Sequence, residues 1–312
     1  MYTLIHGANG QDGRCMQDLL LRDKVPYIAV SRQNIAIYHF RDDEPQQQPE
    51  ILFDIDNVIS TYQIHAVYYF SAISQSSTQS DKLYSVFDHF DSNIINFYNL
   101  VKKLYRLYDP VFFFFSSSLV FDSDEASVCT ASETSNLSTS SIYSTTKIIG
   151  HYICNYLLDE GVKIYNIICF NHESVYRSPT FLFPKIINYC LSSASTNPST
   201  PLTLGNPSIL LDVGYAPEYM SIMRTLQDKS IAGTYILSTY KCFSIMQYVS
   251  WIFEYFNLNL SQVSFDTTSV SRSNRVSMGN NSKMSDNLGV VPNIYGKSLI
   301  QHLCSDFQDF LN

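Results

Sequence analysis

The feature that most constrains the fold of this chain is a set of three glycines near its start, Gly7, Gly10 and Gly13. A short apolar run, residues 2–5, precedes them, and residues 14–22 follow with apolar side chains at helical spacing. This order predicts a strand, a tight turn and a helix. Glycines at this spacing keep side chains away from the helix N-terminus, whose positive dipole end attracts phosphate. The turn therefore predicts a dinucleotide site, with the cofactor-binding candidates Gly7, Asn9, Gly10, Gln11, Asp12 and Gly13.

The rest of the first half of the chain alternates between apolar runs and helix-like stretches. The runs 27–30, 65–70, 111–115 and 164–170 predict buried strands, and residues 92–108 and 143–158 predict helices. Such alternation is typical of an α/β fold. We expect a Rossmann-like, doubly wound parallel sheet with helices on both faces.

A change in composition divides the chain into two expected domains. Ser, Thr, Asn and Pro crowd residues 192–208, and polar clusters recur in the last 50 residues. We expect residues 1–170 to form the NAD(P)-binding Rossmann domain and residues 171–312 to form mainly a smaller C-terminal lobe that binds the substrate. A segment near 231–256 is expected to return to the Rossmann domain and to reach its sheet near 235–238.

Charge, apolar content and cysteine spacing exclude several classes of partner. The chain has 20 basic and 28 acidic residues, a net charge of −8, and its only adjacent basic pair is Lys102-Lys103, so nucleic acid is not expected to bind. The apolar runs fall short of the about 18 residues of a membrane helix, and no signal-like segment begins the chain. The seven cysteines lack CxxC spacing, which favours reduced thiols over disulfides or metal ligands. We therefore expect a cytoplasmic chain without a metal site.

The end of the second predicted strand indicates which nicotinamide dinucleotide fits the turn. An acidic residue there would bind the ribose hydroxyls of NAD, whereas a basic residue accepts the 2′-phosphate of NADP. Arg32 occupies this place and favours NADP, with NAD left open. Asp54 and Ile55, which follow a third short strand, are expected to contact the adenine.

Tyr143 and Lys147 form a candidate catalytic pair. They are one helical turn apart, so both side chains lie on the same face of the predicted helix. A lysine ammonium close to the phenol favours the phenolate and suits the tyrosine to proton transfer beside a nicotinamide. Ser117 and Ser118, at the end of an apolar strand, add hydroxyls that can hold a sugar hydroxyl against the tyrosine. Lys147 is also expected to bind the nicotinamide ribose.

Several longer segments extend these motifs. The glycine turn ends in Gln-Asp-Gly, and residues 170–174 read Phe-Asn-His-Glu-Ser. Residues 204–206 read Leu-Gly-Asn, residues 212–216 read Asp-Val-Gly-Tyr-Ala, and residues 283–292 run from lysine through Leu-Gly to proline. With the tyrosine and lysine pair, these segments resemble the extended short-chain dehydrogenase/reductases, and most of all the GDP-mannose 4,6-dehydratase family. The resemblance covers nearly the whole chain.

This resemblance implies an NAD(P)-dependent enzyme that acts on a GDP-sugar, assembles as a homodimer or homotetramer and supplies a polysaccharide precursor route. Asn171 is the stronger candidate for touching the nucleotide sugar, whereas the adjacent His172 and Glu173 are expected to be structural or to position the substrate. Arg275 is a further candidate for phosphate or guanine binding. The substrate-binding candidates are Asn171, Arg177, Lys185, Leu204, Asn206 and Arg272.

Two departures from the family bear on the reaction. The family glutamate that handles the C5 proton and the leaving C6 hydroxyl corresponds to Leu119, which can do neither. Leu211 similarly stands where the family has an arginine that helps to hold the diphosphate. Asp122 or Asp124 offers a carboxylate nearby, although a loop or cap role is the simpler interpretation of both.

Three functions therefore compete. The first is hydride transfer at C4 of a GDP-mannose-type hexose or heptose without dehydration, as in a dehydrogenase, reductase or epimerase, and Leu119 favours it. The second is a complete 4,6-dehydratase with a relocated acid/base. The third is a non-catalytic subunit that binds a nucleotide sugar, which the retained Tyr143 and Lys147 disfavour.

Overall fold

A computed structural model gives the fold of the chain. It describes residues 1–41, 44–45, 49–73, 84–121, 130–195, 201–229, 231–266 and 278–311. The chain forms two compact units. The first unit comprises Met1–Val120, Leu137–Cys169 and Met220–Tyr235, and the second comprises Phe121–Asn136, Phe170–Tyr219 and Ile236–Asn312.

The elements up to Val120 comprise helices and strands, of which the strands within residues 27–52 follow one another directly, with a turn of π-helix at Asp91–Ile95 and a 3-10 turn at Ser118–Val120. In chain order they are β1 (Tyr2–His6), α1 (Gln11–Arg22), β2 (Tyr27–Val30), β3 (Ile35–Tyr38), β4 (Phe40–Arg41), β5 (Glu44–Pro45), β6 (Glu50–Leu52), α2 (Ile55–Thr61), β7 (Ile64–Tyr69), α3 (Val86–Phe90), α4 (Asn96–Tyr108) and β8 (Val111–Ser117).

The described part of the chain after Val120 contains further helices and several short strands, with a 3-10 turn at Leu260–Gln262. Its elements are β9 (Thr130–Ala131), α5 (Ile142–Asp159), β10 (Ile164–Cys169), β11 (Asn171–Glu173), α6 (Leu182–Ser195), β12 (Leu202–Leu204), β13 (Leu210–Leu211), β14 (Val213–Tyr215), α7 (Ala216–Leu226), β15 (Gly233–Leu237), β16 (Phe243–Ser244), α8 (Ile245–Tyr255), β17 (Val263–Phe265), β18 (Met278–Gly279), α9 (Ser282–Leu288) and α10 (Gly296–Leu311).

An eight-stranded sheet organises the first unit, in the order β15-β10-β8-β7-β1-β2-β3-β6. Strands β10, β8, β7, β1 and β2 pair in parallel, with Leu4 opposite both Ile28 and Val67. The centre of the sheet is aromatic and dry, because the ring of Phe113 stacks between Tyr68 and Tyr165 at centroid distances of 4.5 and 4.9 Å. Continuous apolar strands suit a sheet that is covered on both faces. The predicted Rossmann-like fold class is confirmed.

One strand departs from the expected parallel arrangement. Strand β3 pairs antiparallel with β2, with Val30 opposite Ile35. The connection is a tight turn in which the Ser31 hydroxyl oxygen accepts hydrogen bonds from the backbone N–H groups of Gln33 and Asn34. A parallel connection needs a crossover of a dozen or more residues, so a turn of this length forces the chain to reverse.

The division between the two units differs in detail from the expected domain boundaries. The segment that returns to the first unit is Met220–Tyr235, which overlaps the expected segment at residues 231–235, and β15 (Gly233–Leu237) lies in the sheet beside β10. Helix α8 instead belongs to the second unit, because its buried Tyr248, Ile252 and Phe253 pack in one apolar core with residues of α6 and α10. Short strand pairs complete this unit: β11 with β14, β12 with β17, β13 with β16, and β9 with β18. None of the helices in the described ranges is long and apolar enough to cross a membrane.

Candidate active site

The glycine turn lies between β1 and α1, and two of its glycines are required by the packing of the chain itself. Gly7 has a φ of +93°, and a Cβ there would lie 2.6 Å from the backbone nitrogen of Ser71. A Cβ on Gly13 would lie 2.4 Å from the carbonyl oxygen of Gly7. Both approaches are too close for any other residue, so Gly7 and Gly13 bring the turn tightly against β7 and α1.

Gly10 has a different environment. It has an extended backbone, with φ −75° and ψ 169°, and a Cβ there would meet only the Gly7 oxygen, at 3.4 Å. It caps α1 without a side-chain hydrogen bond, and both Gly10 and Asn9 are exposed. The first N–H groups of α1 are therefore accessible to an anion, as a pyrophosphate requires. The open cradle at Gly10 fits a dinucleotide.

The other predicted residues of the turn lie in the first turn of α1. Gln11 is buried, and its side-chain amide donates a hydrogen bond of 3.3 Å to the Asp12 carboxylate. Asp12 is half-buried. A carboxylate in this position stabilises the helix N-terminus through the helix dipole.

His6, which the sequence interpretation did not include, supports the turn from β1. Its Nδ1 lies 2.7 Å from the Ser71 hydroxyl, and its ring stacks on Tyr69 with centroids 4.7 Å apart. Burial lowers the pKa of His6 to about 4, so the imidazole is neutral at physiological pH. His6 therefore ties the glycine turn to the end of β7 by packing and hydrogen bonding without adding charge.

Arg32 follows β2, and Asp54 and Ile55 lie at the start of α2. Arg32 is exposed in the β2–β3 turn, where its guanidinium donates a 3.0 Å hydrogen bond to the Tyr84 hydroxyl and lies 5.6 Å from the centroid of that ring. Asp54 is the N-cap of α2, and its carboxylate accepts a 2.9 Å hydrogen bond from the backbone of Asp56. Ile55 follows as the first residue of α2 and is half-buried. The Asp54 carboxylate thus already has a structural partner.

Helix α5 positions the tyrosine and lysine pair. The helix begins after Ser141, whose hydroxyl and backbone exchange hydrogen bonds with the backbone and hydroxyl of Ser144 in a capping box. Tyr143 is half-buried in the first turn. Lys147 is fully buried one turn later, and its Nζ lies 5.7 Å from the Tyr143 ring centroid. The Lys147 ammonium therefore lies near the Tyr143 ring, as residues one helical turn apart do.

The ammonium of Lys147 contacts strand β8. Its Nζ donates a 2.5 Å hydrogen bond to the carbonyl oxygen of Phe115 and lies 5.0 Å from the Phe114 ring centroid. Burial lowers the pKa of Lys147 to about 8, against a smaller opposing influence of Cys169, Cys154 and Asp12. The amine is therefore mostly charged near pH 7, yet it is close enough to titration to respond to a neighbouring proton transfer.

Three serines lie at the end of β8. Ser116 is buried, and Ser117 and Ser118 are half-buried. The Ser117 hydroxyl oxygen accepts a 3.3 Å hydrogen bond from the backbone of Leu119, and no described residue accepts its proton. Ser118 opens the 3-10 turn that Leu119 continues, and the Leu119 side chain is half-buried. Ser117 can therefore donate to a ligand, whereas Leu119 offers only hydrocarbon.

A π-helical turn beside α5 contains Asn93, another residue that the sequence interpretation missed. Asn93 is fully buried. Its side chain donates to the Thr146 hydroxyl at 2.9 Å and accepts from the backbone of Ile73 at 2.8 Å. These bonds fix the residue next to Lys147 to the loop that follows β7. A π-turn often marks a functional site, but nothing in the local sequence announces this one.

The second unit contains the described part of the predicted substrate-binding set. Asn171 is exposed at the start of β11 and donates a 3.4 Å hydrogen bond to the Asp212 carbonyl. The His172 Nδ1 lies 2.7 Å from the Phe170 carbonyl oxygen, and Glu173 is buried with one oxygen 3.8 Å from the Arg177 Nε. The Arg177 guanidinium also lies 3.9 Å from the centroid of the Phe181 ring.

The remaining candidates of this set have local partners. Lys185 is exposed and donates a 2.9 Å hydrogen bond to the Thr203 carbonyl. Leu204 is buried in the apolar core, so only its backbone remains available for polar contacts. The Asn206 side chain accepts a 2.9 Å hydrogen bond from the backbone of Ser208. Arg272, Arg275, Asp122 and Asp124 lie outside the described residues.

Asp212 is a structural carboxylate at the centre of the second unit. It is fully buried and accepts hydrogen bonds from the backbone and hydroxyl of Thr239 and from the backbones of Tyr240 and Gly279. Burial raises the pKa of Asp212 to about 6, and these hydrogen bonds oppose the increase. In the described part of the chain, no group of three or more His, Cys, Asp and Glu side chains could hold a metal ion.

The chain is similar to known sugar-nucleotide enzymes in both sequence and fold. The family model described as GDP-mannose 4,6 dehydratase matches residues 4–301. A GDP-mannose 4,6-dehydratase of Sinorhizobium fredii is 26% identical over 269 residues, which are 81% of this chain and 75% of the relative.

Solved structures of similar fold include a dTDP-glucose 4,6-dehydratase from Bacillus anthracis in complex with NAD, with a TM-score of 0.79 and 16% identity over 99% of this chain and 97% of that one. A protein named RMD from Pseudomonas aeruginosa, complexed with NADPH, gives a TM-score of 0.78 with 16% identity over 99% of this chain and all of that one. At this level of identity the structures establish a shared fold.

Proposed function

Because the chain belongs to the GDP-mannose 4,6-dehydratase family, we propose that it is a cytoplasmic enzyme that transfers hydride at C4 of a GDP-mannose-type hexose or heptose. The observation that carries this proposal is the burial of Lys147 beside Tyr143 in the unit that contains the glycine turn. A non-catalytic protein that only bound a nucleotide sugar would gain nothing from a buried cation next to a phenol, because burying a charge costs folding free energy.

The cofactor is a nicotinamide dinucleotide bound at the glycine turn. The open N-terminus of α1 would hold its pyrophosphate, and Gly10 leaves room for that approach. Arg32 favours NADP, since its exposed guanidinium can pair with a 2′-phosphate in a bidentate manner. The NADPH bound to the Pseudomonas protein and the NAD bound to the Bacillus protein agree with either form of this cofactor class.

Tyr143 is the base in the proposed reaction. Its phenolate takes the proton of the C4 hydroxyl, and Ser117, with Ser118 as the neighbouring donor, orients that hydroxyl. The Lys147 ammonium stabilises the phenolate and would bind the nicotinamide ribose, while its bond to the Phe115 carbonyl keeps it in place. When bound, the nicotinamide supplies the hydride acceptor.

The reaction stops short of elimination. Removal of water across C5 and C6 needs an acid/base group for the C5 proton and the C6 hydroxyl. Leu119, in the 3-10 turn after Ser117 and Ser118, has a hydrocarbon side chain that cannot exchange protons. A complete 4,6-dehydratase remains the second candidate, because the family match covers residues 4–301 and Asp122 and Asp124 follow this turn in the sequence.

The proposal includes a homo-oligomer, a dimer or a tetramer. Helix α5 exposes 62% of Tyr152 and 58% of Tyr156, and the start of α4 and the turn before it expose 41% of Tyr98 and 45% of Ile95. Large apolar side chains exposed on neighbouring elements are typical of interaction surfaces. Light scattering coupled to gel filtration tests this expectation, and a monomer at all concentrations would exclude it.

The test of the reaction is turnover of GDP-mannose with NADP or NAD, followed by reduced-nicotinamide absorbance and by product mass. Loss of two hydrogens with matching cofactor reduction is the expected result, whereas loss of one water without net reduction would establish the dehydratase instead. Tyr143→Phe should lower kcat by about 100-fold or more without changing the Kd of NADPH. Tyr240→Phe, at a tyrosine that is 39% exposed and outside α5, is the control and should behave as wild type.

A further inference from the structure

A groove lies between α2 and α4 in the first unit, and none of the residues that line it belongs to the glycine turn. Its volume is about 420 Å³, which is within the range of about 300–1,000 Å³ of small-molecule sites. Helix α2 contributes Asp56, Ile59 and Ser60, and α4 contributes two lysines, an arginine and Leu107. We call it the α2/α4 groove. The adenine candidates of α2 precede these residues and do not line it.

The walls of the groove are held together by polar contacts. The Tyr108 hydroxyl, at the end of α4, donates a 2.7 Å hydrogen bond to the backbone carbonyl of Ile59 in α2. Lys103 forms an ion pair with Asp56 across the same pair of helices. These two contacts join α2 to α4.

The groove carries an excess of positive charge. Lys102, Lys103 and Arg106 line it, and Asp56, which balances Lys103, is the only carboxylate among its lining residues. Lys102 and Arg106 are one helical turn apart and exposed, and neither forms an ion pair with a described residue. Like charges at this spacing repel each other. In a chain with a net charge of −8, such an uncompensated pair beside a cavity favours an anionic occupant.

Two apolar residues line the groove. Leu107 exposes 58% of its surface, whereas Ile59 packs into the core and exposes only 4%. An arginine guanidinium matches a phosphate group in a bidentate manner, a lysine adds a point charge, and aliphatic side chains offer a surface for a flat ring. We propose that the α2/α4 groove is a second binding site, for a phosphorylated small molecule of nucleoside monophosphate size, whose phosphate lies at Lys102 and Arg106 and whose ring lies on Leu107.

The experiment is calorimetric titration of AMP into the full chain in the presence of saturating NADPH, which blocks the dinucleotide site. Binding is expected, and Lys102→Gln/Arg106→Gln should weaken it about tenfold or more, because two charge-assisted contacts are lost. The matched control is Arg22→Gln/Lys24→Gln, which removes one arginine and one lysine that are exposed elsewhere in the same unit. This control should bind AMP as wild type does.

Three results would overturn the assignment. The first is that AMP does not bind to the wild-type chain at millimolar concentration. The second is that both double variants lose AMP affinity to the same extent. The third is that inorganic phosphate binds as tightly as AMP, which would exclude the ring contact. Binding of an acidic peptide but not of AMP would identify the groove as a protein-docking surface instead. Hydride transfer by Lys102→Gln/Arg106→Gln should stay at the wild-type level, so failure of the proposed reaction and failure of this site are separate outcomes.

Discussion

The buried charge of Lys147 lowers the stability of the folded chain by an amount that depends on pH. Its native pKa of about 8 lies below the ordinary value of 10.5. Between these two values the unfolded chain binds more protons than the native protein, so the free energy of unfolding rises with pH in this window. At about 1.4 kcal/mol per pH unit, the charged amine lowers stability by about 3 kcal/mol near neutral pH, relative to a pH above both values.

Replacing Lys147 with methionine removes this dependence, because the thioether has a similar length and no charge. From about pH 7 to about pH 9.5, the wild-type chain should gain about 2 kcal/mol in unfolding free energy relative to Lys147→Met. Urea unfolding of both proteins across this range measures the difference. Lys163→Met, at a lysine that is 62% exposed in the same unit, is the control and should show no comparable trend.

A difference in unfolding free energy between wild type and Lys147→Met that stayed constant from about pH 7 to about pH 9.5 would refute a lowered lysine pKa. The same variant should lack hydride transfer, since the phenolate of Tyr143 loses its cation. If Lys147→Met is more stable than wild type near neutral pH but has no activity, the Lys147 charge supports catalysis and lowers the stability of the fold.

Three further outcomes follow from the geometry. Gly10→Ala should keep the wild-type melting temperature but weaken NADPH binding in a fluorescence titration, whereas Gly7→Ala should also unfold at lower temperature because its Cβ would meet backbone at 2.6 Å. Gly214→Ala should lower the free energy of unfolding in urea by about 1–3 kcal/mol, because its Cβ would lie 2.3 Å from the Tyr219 ring. Gly205→Ala, where no atom lies near the added Cβ, should lower it by less than half as much. Arg32→Ala should raise the KM for NADPH by about tenfold and leave the KM for NADH unchanged in steady-state kinetics, and an equal rise for both would contradict the 2′-phosphate contact.

The family and the fold class were accessible from sequence because their signals are local or periodic. The resemblance to the GDP-mannose 4,6-dehydratase family is confirmed by the match over residues 4–301. The three glycines lie within seven residues, and Tyr143 and Lys147 are one helical turn apart, so short stretches of chain contain each of these motifs entirely. The roles of Ser117, Asn171 and the other candidate site residues stay predictions.

Other features depend on contacts between residues that are far apart in the chain. The antiparallel pairing of β3, the hydrogen bond between Asn93 and Thr146 and the packing of α8 into the second unit give no local signal. The burial of Leu204 and the capping role of Asp54 likewise became visible only once their neighbours were in place.

The sequence by itself determined that this chain has a dinucleotide turn, a mostly parallel sheet and a tyrosine and lysine pair, because backbone freedom, apolar periodicity and helical spacing act over a few residues. Only the tertiary structure decided the state of that pair. Burial lowers the pKa of Lys147, and its amine contacts the Phe115 carbonyl and the Phe114 ring, which lie more than 30 residues away in the chain. Desolvation is a property of packed surroundings, so it appears only when the chain has folded.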